Sequence, residues 1–350
     1  MTESAALGLY RRASLHELGE AADERCRRLH GEPFRTYAID RNINYTNICR
    51  SRCRFCAYYA RPGREGFVLP MDELLTKVAE LSAAGGTHVL LQGGLNEQLG
   101  LGFHLDMLRA VRAAFPAIGL HAFSPPEIWF MHEQSGLSLP ALLEALRQAG
   151  LDSIPGGGAE ILADDVRRAV SPRKCTAQQW LAVMRNAHRL GMNATATMMY
   201  GHGESDERRI EHLRRLRELQ DESLAAGAGR FTAFICWPFQ SGNTELAADP
   251  AAADRFDPGA YTYLRTLAIA RLYLDNFVNV QASWVTQGPK IGQLALFYGA
   301  NDMGGAMMEE NVVAAAGTVH RLSPVDLARL IRQAGWEPRQ RDCQYRIVGP

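Results

Sequence analysis

Three closely spaced cysteines are the residues best suited to chemistry in this chain. They lie within residues 47–58 in the spacing C-x3-C-x2-C, and no fourth cysteine follows nearby: Cys49, Cys53 and Cys56. Iron–sulfur clusters of the cubane type usually take four thiolates, one for each iron. Three thiolates leave one iron without a protein ligand, and that iron can bind a small molecule. The spacing therefore predicts an open [4Fe–4S] cluster.

Two simpler interpretations of these cysteines stay open. A structural zinc site needs four ligands, and the nearest histidines, His30 and His88, do not lie at a zinc-ligand spacing. Three inert buried thiols would leave the polar and basic residues between them without a role. The remaining cysteines show no metal-binding spacing and are predicted to be plain thiols: Cys26, Cys175, Cys236 and Cys343.

The residues between the cysteines carry positive charge. We expect Arg50, Ser51, Arg52 and Arg54 to surround the cluster. Cations there would stabilise the thiolates and raise the reduction potential of the cluster. The alternative is that some of these arginines simply face water, and we expect at least two of them to do so.

Alternating strand-type and helix-type segments must position this cluster. The sequence predicts strands at residues 37–44, 88–92, 118–123, 152–155, 193–199, 231–236, 279–284 and 300–303. Eight strand–helix repeats favour an α/β fold, a parallel (β/α)8 barrel of the TIM type. A six-stranded partial barrel with a separate C-terminal piece is the alternative.

Helix signals support this division of the chain. Capping boxes begin at Ser14 and Thr176, a Ser-Pro start lies at Ser323, and residues 71–81 keep helical spacing. We predict an N-terminal helical extension over residues 1–36 that packs on the barrel. The barrel itself is predicted to occupy residues 37–350 and to end with a helix.

Polar, glycine and aromatic residues follow the predicted strands. Chemistry in such barrels takes place at the carboxyl ends of the strands, so we expect these loops to meet in one site. After the cysteine loop they are residues 92–94, 124–127, 156–160, 200–204, 237–240, 283–288 and 301–305.

Within these loops, two sets of side chains are candidates for binding and proton transfer. Trp237, Phe239 and Trp284 could line a pocket for a flat apolar ring, although packing in the barrel core is an equally simple role. Four titratable residues could accept a proton, although a single buried histidine is more often structural: His121, His202, Glu127 and Asp302. The glycines at 156–158 fit neither a Walker loop nor a dinucleotide fingerprint, and a tight turn explains them.

Composition limits the kind of partner and compartment. The 350 residues have a formal net charge of zero, which argues against nucleic acid or an anionic membrane as the main partner. The sequence has no run of 18 apolar residues, so we expect no membrane span. The first twenty residues lack the apolar region of a signal peptide. An exposed iron–sulfur cluster needs reducing conditions, so we expect a cytoplasmic protein. We also expect a small-molecule substrate.

The cysteine motif, with the aromatic Phe55 before its last cysteine, resembles that of the radical S-adenosylmethionine (SAM) enzymes. Further motifs resemble the subgroup that contains the enzymes of futalosine-dependent menaquinone biosynthesis and the deazaflavin synthases. These motifs are residues 44–47, 155–162, 196–202 and 299–302. Residues 121–127, 234–240 and 282–288 are most similar to the cyclase of the futalosine pathway, apart from Cys236, where we expect proline. We interpret residues 129–139 as a loop that varies within the family.

The resemblance implies a cofactor and roles for several residues. SAM would bind the open iron, Gln92, Gly93 and Gly94 would hold its amino group without the glutamate usual in the family, and Tyr58 would lie near its adenine. Glu160 could accept hydrogen bonds from the SAM ribose diol, or could be an exposed glutamate at a helix start. Arg173 could bind the carboxylate of SAM or that of the substrate.

The resemblance also implies a reaction. A radical derived from SAM would remove the hydrogen at C4′ of a ribose, and C4′ would then close a ring onto a benzoate held by the pocket aromatics. The strand-end motifs add Thr286 and Asn301 to this substrate site, and flavodoxin or ferredoxin would supply electrons. A sister enzyme of the subgroup is one alternative. An electron carrier without catalysis is another, although such a protein should be small and need no deep pocket.

Overall fold

A computed structural model describes residues 1–61, 63, 65–248, 256 and 259–349. The strands are β1 Phe34–Ala38, β2 Asp40–Asn44, β3 His88–Gln92, β4 Gly119–Ala122, β5 Ser153–Ile154, β6 Asn193–Tyr200, β7 Phe231–Pro238, β8 Asn279–Gln281, β9 Asp302–Gly305 and β10 Glu337–Gln340. The helices are α1 Glu3–Arg12, α2 Leu15–Leu29, α3 Met71–Ala83, α4 Leu101–Ala114, α5 Pro125–Ser135, α6 Leu139–Ala149, α7 Asp164–Val170, α8 Ala177–Arg189, α9 Asp206–Ala225, α10 Gly259–Tyr273, α11 Trp284–Gln287, α12 Pro289–Ala295, α13 Val312–Ala315 and α14 Pro324–Gln333.

The strands close into a barrel because β1 and β2 are two halves of one strand. Only Ile39 separates them, and β1 pairs with β9 while β2 pairs with β3. From β3 to β9 each strand pairs with the next one in the chain, and every pair is parallel. The ring therefore has eight members, which confirms the (β/α)8 prediction over the six-stranded alternative.

The eight predicted strands all exist, but two differ in their bounds in ways that matter. The first begins at Phe34 rather than at residue 37. The last covers Asp302–Gly305 rather than residues 300–303, so Asp302 begins this strand instead of ending it. In a parallel barrel that difference moves a side chain from the carboxyl end of the strands toward the amino end.

The N-terminal residues are helical, as expected, and they pack on the outside of the barrel. The predicted capping box at the start of α2 is present, because the Glu17 amide donates to Ser14 Oγ and the Ser14 amide donates to Glu17 Oε2. α2 packs against α10, and the Tyr10 hydroxyl and Thr266 Oγ1 are 2.9 Å apart. The division into an extension and a barrel remains a prediction.

Other helix signals had mixed outcomes. The capping box at Thr176 and the Ser-Pro start at Ser323 both begin helices, α8 and α14. The interpretation of residues 129–139 as a loop is wrong, because Ser135 is the last residue of α5. Gly136, in the left-handed conformation, caps the helix. Within the described part of the chain, no helix is long and apolar enough to cross a membrane.

The chain continues past the last helix, which the sequence did not predict. β10 pairs in parallel with β1 beside its amino-terminal half. Residues 341–349, the C-terminal plug, then cross below the strands, where Gln344 hydrogen-bonds to Asn193 at the start of β6 and to the carbonyl of Asp152. This plug closes the amino-terminal end of the barrel.

Candidate active site

The barrel contains a cavity of about 430 Å³ that runs from the cysteine loop to the C-terminal plug. Its lining includes the three cysteines at the carboxyl end of the strands and Arg341, Cys343 and Tyr345 at the other end. Because one end is closed by the plug, a ligand has to enter at the carboxyl end. The strand-end loops therefore form one site, as the sequence predicted.

All three predicted cluster ligands line the cavity, and all are free thiols. The Leu95 amide donates to Cys49 Sγ at 3.3 Å, and Ser51 Oγ lies 3.2 Å from Cys53 Sγ. Burial raises the pKa of Cys53 to about 12 and also raises that of Cys56. In the absence of a metal these two thiols stay protonated, and a bound metal would displace their protons.

The cysteine loop fits a cluster better than a single metal ion. Among the described residues, no three His, Cys, Asp or Glu side chains converge closely enough to hold one ion. A cubane places each thiolate on its own iron, so its ligands need not converge on one point. Gly94 packs tightly beneath the loop, because a Cβ there would lie 2.2 Å from the Ile48 carbonyl oxygen and 2.9 Å from Cys49 Cβ.

The arginines do not surround the cysteines, and the expectation that at least two of them face water is confirmed by Arg50 and Arg52. Arg50 pairs with Glu97 and Glu133, and Arg54 pairs with Glu245, all on the outer surface. Arg52 is exposed. None of the three lines the cavity, whereas Ser51 does. Surface carboxylates therefore hold Arg50 and Arg54 outside the cavity.

Lys174, which the sequence analysis missed, provides the cation beside the cysteines. Its ammonium lies 5.1 Å from the centre of the Phe55 ring and donates to Glu160 Oε1 at 2.7 Å. Burial acts to lower the pKa of Lys174, but the neighbouring Cys53 and Glu160 outweigh it and raise this pKa above its ordinary value. Lys174 is therefore positively charged. The neighbouring residue, Arg173, is exposed and does not line the cavity. The binding role predicted for Arg173 is better filled by Lys174.

Glu160 is a buried residue of the cavity wall, not an exposed glutamate at a helix start. Its Oε2 accepts a hydrogen bond from Arg167 at 3.2 Å and its Oε1 accepts one from Lys174. Burial acts to raise the pKa of Glu160, but these two cations outweigh it and lower this pKa. The carboxylate is therefore ionised and keeps free lone pairs that could accept hydrogen bonds from a ribose diol. That predicted contact stays untested.

The predicted SAM-binding loop, Gln92 to Gly94, also lines the cavity. Gly93 is held by Glu127, whose Oε1 accepts hydrogen bonds from the Gly93 amide at 2.9 Å and from the Tyr45 hydroxyl at 2.7 Å. Glu127 Oε2 accepts from the amide and the hydroxyl of Ser124. Although burial raises the pKa of Glu127, four donors occupy its carboxylate. Glu127 therefore positions the loop, and its predicted role as a proton acceptor stays an untested prediction.

Replacing Glu127 with glutamine should destabilise the protein by about 2 kcal/mol and weaken SAM binding, because the new amide group would face donors that need an acceptor. Urea unfolding and SAM titration of the reconstituted protein measure the two effects. Glu133→Gln, on the exposed face of the same helix, is the control and should change stability by less than about 0.5 kcal/mol. Equal unfolding midpoints for the two variants would contradict the role given to Glu127.

Close packing explains two of the glycines after β5, and the tight turn that the sequence predicted accounts for the third. A Cβ on Gly156 would lie 2.6 Å from the Thr195 carbonyl oxygen, and one on Gly157 would lie 2.6 Å from Gln92 Nε2. Gly158 has a φ of +72°. These glycines bring the backbone of this loop against the Gln92 side chain, on the cavity wall.

Two further predicted proton acceptors lie outside the cavity lining. The buried ring of His202 turns back, with Nε2 3.0 Å from the Met199 carbonyl oxygen and Nδ1 3.3 Å from Glu204. Asp302 begins β9 near the amino end, where Arg341 donates to both of its oxygens. Each side chain thus serves a structural contact outside the cavity, and neither predicted role is tested.

His121 lines the cavity but is a poor proton acceptor. Its Nδ1 lies 2.7 Å from Ser153 Oγ and its Nε2 lies 3.5 Å from Thr195 Oγ1. Burial lowers the pKa of His121 to about 3. Its ring is therefore neutral over the physiological range and has little affinity for a proton.

The predicted aromatic residues form one wall of the cavity. Trp237, Phe239, Trp284 and Thr286 all belong to its lining, and the Trp284 indole is fixed by donation to the Gly305 carbonyl at 3.1 Å. Asn301 does not: its side chain bonds to Arg271, Val280 and Asn279 in the outer layer. The structure therefore does not bring Asn301 to the cavity, and the substrate role predicted for it stays untested.

Polar side chains that the sequence analysis overlooked line other parts of the cavity. Alternate residues of β2 face inward, namely Asp40, Asn42 and Asn44. They are joined by His88, Thr195, Thr197, Gln281 and Glu310. The period of two in residues 40–44 was the available signal. Tyr58, predicted to lie near adenine, also lines the cavity, and burial raises its pKa to about 12.

Two family models match the chain. The Radical SAM superfamily matches residues 43–216, and the CofH/MqnC C-terminal region matches residues 228–349. The first contains the cysteine loop and strands β3 to β6, and the second contains β7 to β10. The match thus extends over both the cluster end and the aromatic wall.

Characterised relatives cover nearly the whole chain. A protein of Halalkalibacterium halodurans named cyclic dehypoxanthine futalosine synthase is 45% identical over 98% of this chain and 90% of its own length. One of the same name from Streptomyces coelicolor is 42% identical over 99% of this chain and 85% of its own length. The 5-amino-6-(D-ribitylamino)uracil–L-tyrosine 4-hydroxyphenyl transferase of Archaeoglobus fulgidus is 40% identical over 95% of this chain and 94% of its own length.

Solved structures share the fold at low sequence identity. Methylornithine synthase (PylB) superposes with a TM-score of 0.75 at 18% identity, covering 96% of this chain and 94% of its own. The [FeFe]-hydrogenase maturase HydG gives a TM-score of 0.74 at 14% identity, covering 97% of this chain and 72% of its own. These likenesses support the barrel architecture.

Proposed function

The chain belongs to the family of radical SAM enzymes that contains the cyclic dehypoxanthine futalosine synthases, and on this premise we propose that it cyclises dehypoxanthine futalosine in the futalosine pathway of menaquinone biosynthesis. In this reaction the ribose loses the hydrogen at C4′, and C4′ bonds to a carbon of the benzoate ring. The ring then loses one proton and one electron and becomes aromatic again. The product is cyclic dehypoxanthinyl futalosine.

The chain's own residues fit the two cofactors that the family uses. Cys49, Cys53 and Cys56 would hold a [4Fe–4S] cluster. The backbone at 92–94, the Glu160 carboxylate, Lys174 and Tyr58 would bind SAM, a proposal supported by the fact that all of them line the same cavity. When bound, the cluster and SAM supply the 5′-deoxyadenosyl radical that removes a hydrogen atom from the substrate.

The observation that carries the proposal is the composition of the cavity. Below the cysteines one wall is aromatic, with Trp237, Phe239 and Trp284, and other parts of the lining are polar, with Asn42 and Thr197 among them. The substrate has a benzoate ring and a hydroxyl-bearing ribose, which suit these two surfaces. Holding both parts of one flexible molecule in contact supplies most of what ring closure needs from the protein. The closed amino end also limits the entry of water.

The anaerobically reconstituted and reduced protein should convert dehypoxanthine futalosine to the cyclic product and form 5′-deoxyadenosine. Liquid chromatography with mass spectrometry measures both. A parallel incubation with 5-amino-6-(D-ribitylamino)uracil and L-tyrosine tests the transferase activity named for the relative at 40% identity. Transfer of the hydroxyphenyl group without cyclisation would replace the proposed activity with the second one.

A third outcome concerns the other class of function. If neither incubation gives product and SAM is not cleaved, both enzyme activities are excluded and an electron carrier without catalysis becomes the favoured alternative. The motifs around Trp237 and Trp284 favour the cyclase over the transferase, because they match the cyclase pattern described above.

We also propose a compartment and an electron donor. Seven free thiols suit a reducing compartment such as the cytoplasm. Arg52 lies between two cluster ligands, is exposed, and has no carboxylate partner among the described residues. An acidic one-electron donor of the flavodoxin or ferredoxin class could approach the cluster there by charge attraction.

A further inference from the structure

One carboxylate of the cavity wall has an oxygen without a protein partner. Asp40, the first residue of β2, is 7% exposed and lines the cavity. Its Oδ1 accepts a hydrogen bond from the Met307 amide at 2.9 Å. No hydrogen bond to Oδ2 from the described residues is present, and the nearest ring nitrogen, His88 Nε2, lies 4.0 Å away. That gap is too long for a hydrogen bond.

The groups around Asp40 leave its carboxylate weakly stabilised. Burial raises the pKa of Asp40 to about 6, Asp302 and Glu310 act in the same direction, and Arg341 opposes them. Burial lowers the pKa of His88 well below its ordinary value, so this ring is neutral at physiological pH. Tyr345, also nearby, has its pKa raised by burial and is neutral too. Asp40 is therefore ionised at neutral pH but has a high affinity for a proton.

Asp40 also lies next to the aromatic wall. The Trp284 indole donates to the carbonyl of Gly305. A Cβ on that same glycine would lie 2.0 Å from Asp40 Oδ1, so only glycine fits there. The carboxylate and the tryptophan against which we place the benzoate ring are therefore both neighbours of Gly305.

We propose that Asp40 is the catalytic proton acceptor of ring closure, an inference that rests on the proposed function. After C4′ has bonded to a ring carbon, the C–H bond at that carbon breaks and the proton forms an O–H bond with Asp40 Oδ2. The electron pair of the broken bond stays in the ring, which regains aromaticity as a radical anion. Its extra electron leaves to a one-electron acceptor of the iron–sulfur class.

The other carboxylates of the cavity lining already accept hydrogen bonds on both of their oxygens. Glu127 accepts four hydrogen bonds, as described above. Glu310 accepts hydrogen bonds from Asn42 Nδ2 and from the amides of Val312 and Val313. Glu160 is paired with two cations. Asp40 is thus the carboxylate of the lining whose second oxygen is left for the substrate.

The test uses Asp40→Asn and substrate deuterated at C4′. Asparagine keeps the shape and the acceptor for the Met307 amide but cannot take a proton. Deuterium should still appear in 5′-deoxyadenosine, which shows that the fold, the cluster and substrate positioning are intact. The yield of cyclic product per deuterated 5′-deoxyadenosine should fall about 100-fold or more, a typical loss for general base catalysis.

The wild type adds a pH readout. Its product yield per 5′-deoxyadenosine should fall as the pH is lowered through about 6, because Asp40 then becomes protonated. Asp106→Asn, an exposed change on α4, is the matched control and should behave as the wild type does.

Two results for Asp40→Asn would overturn the proposal. Product yield within about threefold of the wild type would mean that another group takes the proton. Loss of deuterium transfer together with product would mean that Asp40 serves binding or folding instead. Failure of the proposed function itself is seen separately, because the wild type would then form no cyclic product.

Discussion

A variant with alanine at Cys49, Cys53 and Cys56 is expected to lose the iron–sulfur absorbance and all detectable cleavage of SAM while it stays folded. The three thiols are the cluster ligands that the cavity offers at its open end. Without them no cysteine among the described residues of this end remains to hold the cluster, and the radical chemistry depends on that cofactor. Iron content, visible absorbance and 5′-deoxyadenosine formation measure the result.

The matched control replaces a thiol that is buried elsewhere. Cys236 lies in β7 and does not line the cavity, and burial raises its pKa. Cys236→Ala should retain the cluster and SAM cleavage, at a modest cost in stability. If the triple variant still cleaved SAM, the assignment of the site would be wrong, whatever the outcome for the control.

Patterns that are local in sequence gave the most accurate predictions. The cysteine spacing fits within a dozen residues, and the barrel brings the strand-end loops together because parallel strands end on one side. The predictions at Gln92, Trp237 and Trp284 therefore fall on the cavity lining. Capping boxes such as that at Ser14 are local too, and these also appear in the structure.

Side-chain direction within a loop could not be predicted in the same way. Arg173 and Lys174 are neighbours, but the loop between α7 and α8 exposes the first and turns the second into the cavity. His202 follows β6 as predicted and still points back at Met199. Nothing in the residue types distinguishes these cases, because the outcome depends on partners that are distant in sequence.

Asp40 shows a different limit of the sequence. Its strand has polar residues at alternate positions, which usually indicates a face in contact with water. In a barrel that face points inward to the cavity. The alternation of polar residues was visible in the sequence. Whether they face water or the cavity depends on the barrel, which closes because β1 and β2 continue each other as one strand.

The pairing of Arg341 with Asp302 joins the C-terminal plug to β9 and has no local signal in sequence. Arg341 donates to Asp302 Oδ2 at 2.6 Å and to Oδ1 at 2.9 Å, with both side chains buried. Thr36 Oγ1 also donates to Asp302 at 2.5 Å. A buried ion pair thus ties the plug to the closed end of the barrel.

Replacing Arg341 with methionine should destabilise the protein by about 3–5 kcal/mol, because it leaves the buried Asp302 carboxylate without its cation. Urea unfolding followed by circular dichroism measures the change. The double variant Arg341→Met, Asp302→Asn should recover part of the loss, since no unpaired charge then remains buried. Arg346→Met removes an exposed arginine from the same plug and should cost less than about 1 kcal/mol. A single variant as stable as this control would mean that the ion pair does not hold the plug, and that packing of the plug against the strand starts does so instead.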